Sequence, residues 1–573
     1  MPAARFADSL RITIGALDAQ VSHAAAGLRD RGFAHALFAR EPAAWSSDAA
    51  VQSTIGNRLG WLTSPASMAS EVERLTTFAD GIIRDGFTDV VLLGMGGSSL
   101  APEVLRSVIG VQAGRPRFTM LDSVNPDHLQ TIATDPHHTL YILASKSGST
   151  IEPNVLAAYF RQRLLDAGVS RWATHFVAIT DPDTALDTRA ATEGFRDVFR
   201  NPADIGGRYS AMSFFGLVPA ALMGCDVSRL VADARAMLAA GAATNEGDPA
   251  LALGVLAGAA ALAGRDKLTL VVPPALEPFG LWIEQLVAES TGKAGMGIVP
   301  ITGEPLGNAG EYGDDRVIVR VRLAGDHAGE PARDELVRAL AARGTPVAEI
   351  VMQAPEAIGA EFVRWELATA TAAAVMGINP FDEPNVQQAK DATRVLLDAF
   401  KREGRLPAGE PDADVDDASM TLSEAARRGG GARRADALLR LLGPGDYLSV
   451  LAYLPESAAL TGVIASFRAE VRRRTGCATM FGYGPRYLHS TGQLHKGGPN
   501  TGVFLVLTAP GADMAIPGEP FTFGILELAQ ALGDMTSLDR ANRRALHVHL
   551  PRPDAQRVER ACEWLLRGLS EES

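Results

Sequence analysis

The chain has 573 residues, 47% of them hydrophobic and 21% charged, with a formal net charge of −13. That length exceeds what one hydrophobic core serves, so two or three domains are expected. The acidic balance excludes nucleic acid as an expected partner, and an anionic ligand must be met by local positive groups. No run is long enough to span a membrane; Ala250 to Ala263 is Ala/Gly-rich and short, and reads as a buried helix. The start, Met1-Pro2-Ala3-Ala4-Arg5, lacks the apolar core of a secretion signal. Cys225, Cys477 and Cys562 show neither disulfide nor metal spacing, so the expected setting is a reducing cytoplasm, without a metal or cofactor.

In chain order, residues 7–40 read as one or two amphipathic helices, part of an N-terminal helical segment over 1–48. From 49 to 245, apolar strands at Asp89–Leu93, Arg117–Leu121, Thr139–Leu143 and His175–Thr180 alternate with helical stretches, which implies parallel strands with crossover helices. A second series over 246–402 has strands at Lys267–Val272, Arg316–Arg322 and Pro346–Met352, closed by a long helix from Pro355 to Met376. Residues 403–434 are acidic, rich in Pro and Gly and aperiodic, as expected of a linker. From 435 to 573, strands at Tyr447–Leu454, Gly502–Leu507 and Ala545–Leu550 give a smaller C-terminal α/β portion.

Two strand ends carry the chemistry. Gly94-Met-Gly-Gly-Ser-Ser99 and Ser145-Lys-Ser-Gly-Ser-Thr150 each follow an apolar strand and precede a helix, which groups backbone N–H donors at a positive helix end and makes an anion site. The second turn adds four hydroxyls and an ammonium, matching a phosphate monoester better than a plain Ser/Thr cap. The first turn fails the dinucleotide pattern because position 99 is Ser, although Asp122 after the next strand stands where a ribose-binding acid would. Lysine is scarce, six of the 54 Lys and Arg residues, yet Lys146, Lys293, Lys390 and Lys496 all lie in or beside small-residue motifs.

Arg208, in Ile205-Gly-Gly-Arg-Tyr-Ser210, can approach a ligand and stabilise developing negative charge, or simply occupy a solvated turn. Gln285 and Glu289 share a helix face at i, i+4, and Glu289 lies in the last turn before Gly292. There the negative helix end is expected to raise its pKa toward that of a general base. Pro380-Phe-Asp-Glu-Pro-Asn-Val-Gln-Gln-Ala-Lys390 reads as opening a helix with Lys390 near the end of its second turn. Tyr487 to Gly498 packs His489, His495 and Lys496 between glycines.

Taken in order, these blocks resemble the glucose-6-phosphate isomerase (phosphoglucose isomerase) family, built from two sugar-isomerase (SIS) domains. Gly492-Gln-Leu-His-Lys-Gly-Gly-Pro-Asn-Thr-Gly502 and Phe521-Thr-Phe-Gly524 are similar to the isomerase half of bifunctional transaldolase/glucose-6-phosphate isomerase fusions. No transaldolase barrel precedes them, so isomerase activity alone is expected.

The resemblance implies two SIS-type doubly wound parallel-sheet domains with a C-terminal α/β portion. It implies a cytoplasmic enzyme of glycolysis and gluconeogenesis that interconverts glucose 6-phosphate and fructose 6-phosphate through a cis-enediol, as a homodimer with the site near its interface. Gly97, Ser98, Ser145, Lys146, Ser147 and Thr150 would hold the sugar phosphate, with Glu152 beside them. Glu289 would move the proton, Arg208 would stabilise the enediolate, Gln285 would bond the substrate, and Lys390 would help open the ring.

Two positions depart from the family pattern. Glu383 stands where Gln is usual, so its carboxylate repels phosphate, pairs with Lys390, or faces solvent. No His-Ser block lies between Glu289 and Lys390, where His327 is the only histidine. The order His-Ser-x-x-Gln-Leu recurs instead at His489-Ser490-x2-Gln493-Leu494, after the lysine. His489 is therefore the expected ring-opening acid/base, with reach into a neighbouring subunit and with His495 and Lys496 as secondary contacts. The alternatives are a non-catalytic SIS-type sugar-phosphate sensor, an isomerase that also takes mannose 6-phosphate, and a nucleotide-dependent oxidoreductase.

Overall fold

The computed structural model describes residues 9–244, 248–326, 329–407, 410–429 and 435–570. Among them, three sheets organise the chain. The first runs, in spatial order, Arg117–Leu121, Asp89–Leu93, Thr139–Ala144, Phe176–Thr180, Asp197–Arg200, and every neighbouring pair is parallel. Its three inner strands are buried along their whole length, which is why they read as unbroken apolar runs rather than as alternation. The chain leaves Asp89–Leu93 toward one edge and returns to build the other. The carboxyl ends of Asp89–Leu93 and Thr139–Ala144 therefore flank the point where strand order reverses, the position at which open α/β sheets bind ligands.

The second sheet is ordered Leu10–Thr13, Val347–Met352, Arg316–Leu323, Lys267–Val271, Val299–Ile301. Its strands are parallel except Leu10–Thr13, which pairs antiparallel with Val347–Met352. The N-terminal segment is thus not purely helical. Leu10 and Ile12 face inward while Arg11 and Thr13 face out, a period-two pattern only four residues long that needs the exposed edge of Val347–Met352 to become a strand. Helices Asp18–Asp30 and Phe33–Phe38 follow it. The Ala/Gly-rich segment forms the helix Pro249–Leu262, packed along the buried helix Ile358–Met376 as expected of a core helix.

The third sheet is ordered Ala413–Val415, Ala418–Leu422, Arg544–His549, Gly502–Thr508, Tyr447–Tyr453, Ala478–Tyr483. Residues 403–434 are consequently more than a linker. Ala413–Val415 and Ala418–Leu422 form a hairpin whose turn residues, Asp416 and Asp417, both have positive φ (49° and 65°), as a two-residue turn of this kind requires. Ala418, Met420 and Leu422 point into the core, and Asp412 anchors the hairpin by accepting from Arg427. The acidic composition masked that alternation. Helix Val386–Glu403 packs along helix Phe523–Arg540, so the third sheet's helical layer adjoins the chain just past the second series.

Candidate active site

Both small-residue turns lie at the switch point. In the first, a β-carbon on Gly97 would run into the carbonyl oxygen of Gly207, so this turn must be glycine for the Gly207–Tyr209 loop to lie against it. Ser210 Oγ also donates to the Gly97 carbonyl at 3.2 Å. Ser98 is buried beside them. In the second turn, Ser145 Oγ donates to Thr150 Oγ1 at 3.3 Å and accepts from Gly148 N at 3.1 Å, while Ser147 and Ser149 hydroxyls pair at 2.9 Å. Thr150 is the N-cap of helix Ile151–Asp166, yet its side chain makes no cap bond. The first-turn amides therefore face the turn without the ordinary hydroxyl cap, which suits an anion. The Lys146 ammonium is held by Asp181 and by the Ala203 carbonyl, at 3.1 Å from the latter.

Helix Glu277–Thr291 carries the base candidate. Gln285 and Glu289 share its buried face, with Gln285 Nε2 3.4 Å from Glu289 Oε2. Burial pushes the Glu289 carboxyl up to about 7, against the downward pull of Arg208 and with an upward push from Glu383. Loss of water, rather than the helix terminus, is the larger cause. Arg208 Nη1 lies 3.6 Å from Glu289 Oε2. The rest of the guanidinium is pinned: Nε donates to Ser290 Oγ (2.9 Å), Nη2 to the carbonyls of Pro380 (2.7 Å) and Asp382 (3.0 Å), and Nη1 to Glu383 Oε2 (2.9 Å). Of five N–H groups, four are occupied among the described residues, and the last belongs to the nitrogen nearest Glu289.

Glu383 therefore pairs with Arg208 rather than with Lys390, while 46% of its side chain still faces solvent. Burial acts to raise its carboxyl, but the Arg208 charge and hydrogen bond prevail and hold it below the usual range. Lys293 braces the same 379–382 strap, donating to the Asn379 carbonyl (2.8 Å) and Asp382 Oδ1 (2.7 Å), and burial lowers its pKa to about 8. The strap is not helical. Its helix begins at Val386, which puts Lys390 at the start of the second turn rather than near its end.

His489 ends the short 3-10 turn Arg486–His489. Its carbonyl accepts from Gln285 Nε2 at 2.6 Å, and its Nε2 lies 2.9 Å from Glu152 Oε1. The segment following the third sheet's outer strand thus reaches helix Glu277–Thr291 and the helix that follows the Ser145–Thr150 turn within its own chain. Lys390, Thr150, Glu152 and His489 line one cavity of about 410 Å³. His327 lies outside the described residues.

His495 is not a secondary contact: it is buried, with ring centroids 5.0 Å from Phe504 and 6.0 Å from Tyr487, a core position. The Lys496 ammonium is drawn to the buried Asp534, 2.6 Å away. Asp122, the residue on which a nucleotide reading leaned, is gripped by Arg486 through two bonds of 2.7 and 2.8 Å. Gln530 carried no signal in the sequence, and Gln493 carried only its place in the His489–Leu494 block, with no role attached. Gln493 clamps the strap through Asn385 N (2.8 Å) and Asn385 Oδ1 (2.9 Å), and Gln530 Nε2 donates to Glu152 Oε1 at 2.7 Å. Both are ordinary helical glutamines until the chain is folded.

Parallel doubly wound sheets with a hydroxyl-rich turn, a buried carboxylate and a pinned arginine define an α/β protein with a ligand site at its topological switch point. The chain belongs to the phosphoglucose isomerase family, whose model, "Phosphoglucose isomerase", matches residues 66–298. It is 30% identical over 398 residues to a glucose-6-phosphate isomerase of Rubrobacter xylanophilus, covering 60% of this chain and 90% of that protein. A Geobacter enzyme of the same name is 36% identical over 214 residues, 36% of this chain and 40% of its own. Among solved structures, a glucose-6-phosphate isomerase of Chlamydia trachomatis superposes with a TM-score of 0.50 at 20% identity, over 64% of this chain and 78% of its own, and shares the fold. A hypothetical protein of Thermus thermophilus does so with a TM-score of 0.54 at 24% identity, over 67% of this chain and 99% of its own.

Proposed function

We propose that this protein interconverts glucose 6-phosphate and fructose 6-phosphate through a cis-enediolate, with Glu289 as the base. The observation that carries this reading is the meeting of Glu289, Arg208, Gln285 and His489 beside the Ser145–Thr150 turn, although these residues lie far apart in the chain.

The phosphate enters the turn formed by Ser145, Ser147 and Thr150, with Lys146 at its edge and the Gly97–Ser98 turn flanking the sugar. The histidine Nε2–H points at Glu152, so the Nδ1 lone pair is left to take the C1 hydroxyl proton and hand it to the ring oxygen as the bond between C1 and that oxygen breaks. Lys390, across the cavity, favours the transient negative oxygen. In the opened aldose, Glu289 takes the C2 proton and returns it to C1, and the charge that develops on the enediolate oxygens meets the remaining Arg208 N–H. A carboxylate with a pKa of about 7 suits both halves of that transfer near neutral pH. The substrate class and the homodimer expected from the resemblance, and the kinship of the Gly492–Gly502 segment with transaldolase-fused isomerases, belong to the same proposal.

The test is a coupled assay of fructose 6-phosphate conversion on wild type and Glu289→Gln together. A fall of roughly 10²–10⁴-fold in kcat for the variant, the range a positioned acid–base group supplies, is the expected result. A folded wild type that binds the sugar phosphate without turning it over would overturn the reading.

A further inference from the structure

We propose that Gln530 is a positioning residue for ring opening: its amide holds Glu152 in the orientation that decides which nitrogen of His489 faces the sugar. This rests on the isomerase reading above. Glu152 Oε1 is shared, taking the Gln530 amide at 2.7 Å and lying 2.9 Å from His489 Nε2. An ionised carboxylate only accepts, so both neighbours must donate to that oxygen. The Gln530 nitrogen, not its oxygen, must face Glu152, and the His489 proton must sit on Nε2. Remove the amide, and Glu152 is free to rotate away from the imidazole or to take up a proton.

A packing role explains Gln530 poorly. The side chain is buried, and among the described residues its Oε1 has no partner, a desolvation cost that an apolar side chain of the same size avoids. The helix that carries it, Phe523–Arg540, has a polar stripe at the spacing of one face. Glu527 accepts the Asn125 amide at 3.0 Å, while Asp534 lies 2.6 Å from Lys496 Nζ and accepts the Tyr487 hydroxyl at 2.7 Å. Asn125 follows the first sheet's strand Arg117–Leu121, and Tyr487 and Lys496 bracket His489. One helix face thereby registers the histidine's segment against the first sheet and its helix Ile151–Asp166, which carries Glu152, with Gln530 at the middle contact.

The charged and titratable groups facing Glu152 are His489, Lys390 and, from the third sheet, Tyr453. Burial acts to raise the Glu152 carboxyl, but the His489 charge and hydrogen bond and the Lys390 charge leave it below the ordinary value. Losing a donor moves it back up.

The experiment compares wild type with Gln530→Met, which removes the donor at similar volume. Two rates are followed across pH: turnover of fructose 6-phosphate, and C2 hydrogen exchange in deuterated water on the four-carbon aldose 4-phosphate, which has no hydroxyl able to close a five- or six-membered ring. Hexose kcat should fall about ten-fold, part of the 10²–10⁴-fold that a positioned acid–base group supplies. Exchange on the open-chain aldose should stay within about two-fold, and the acid limb of hexose kcat should move to higher pH.

Gln530→Glu serves if the Met variant does not fold. Protonated, the new side chain still donates to Glu152; ionised, it repels it. The ratio of hexose turnover to exchange should then fall as pH rises. Equal loss of both rates, or an unchanged ratio and acid limb, overturns the role of Gln530. A wild type inactive in both reactions overturns the isomerase reading itself.

Discussion

Glu289 sits between opposed influences. Burial and the nearby Glu383 carboxylate raise its pKa, Arg208 lowers it, and the balance stands at about 7. Proton abstraction needs the ionised form, so the acid limb of kcat/KM should lie near neutrality. Glu383 engages the same Arg208 nitrogen that faces Glu289. In Glu383→Gln that competing charge is gone, the base feels more of the guanidinium, and its pKa falls. A pH–rate profile should then show the acid limb displaced to lower pH. His489 is argued to act on the ring alone. His489→Asn should depress turnover of the closed sugar by about 10²-fold or more and spare proton exchange on an open-chain substrate. Isotope exchange measured beside the coupled assay separates the two, and equal losses would contradict the assignment.

At the scale of elements, the site depends on two turns that touch through glycine. A β-carbon at Gly97 cannot fit against Gly207, whose next residue is Arg208. Gly97→Ala must push the arginine loop away from the sheet's edge. We expect a loss of about 1–3 kcal/mol in urea unfolding, the usual range for overpacking. A fall in kcat should accompany it, because the guanidinium leaves the position where enediolate charge develops. The strap at 379–385 works as a second lock: it is fastened by Arg208 and Lys293 from one side and by Gln493 from the other. It joins the long buried helix Ile358–Met376 to the helix of Lys390, so the lysine's approach to the cavity is set by the strap's fastening.

Across the whole molecule, the second and third sheets are joined by buried charge. Glu304 accepts from Arg316 at 2.9 Å and from the backbone N–H of Thr479 at 2.8 Å, while Arg468 donates to the carbonyls of Gly303 (2.9 Å) and Thr479 (2.8 Å). Burial acts to raise the Glu304 carboxyl, and Arg316, Arg472 and Arg468 outweigh it to leave it below the ordinary value. A lowered carboxylate pKa stabilises the fold fully above the unfolded value, and that stability is lost as pH falls through the folded one. Glu304→Ala strands buried arginines and should cost about 3–5 kcal/mol at neutral pH. Urea titrations at several pH values should show the difference from wild type shrinking in acid.

Much of this protein was legible before folding because its signals are local. Apolar runs ending in Gly94–Ser99 and Ser145–Thr150 announce parallel strands with anion turns, and the i, i+4 spacing of Gln285 and Glu289 needs only helix geometry. The edge strand Leu10–Thr13 and the hairpin of Ala413–Val415 with Ala418–Leu422 were not legible, because a short alternation becomes a strand only when a partner offers its open edge. The pairings that complete the site were beyond local reading for the same reason. Glu152 meets His489 across 337 residues of chain and Arg208 meets Glu383 across 175. Residue type and spacing determine which chemistry is available and on which element it rides. Which carboxylate faces which cation, and whether water reaches them, depends on how separate elements pack. In this molecule the tertiary structure alone decided that Glu383 pairs with Arg208, that Gln530 donates to Glu152, and that burial brings the Glu289 carboxyl up to about 7.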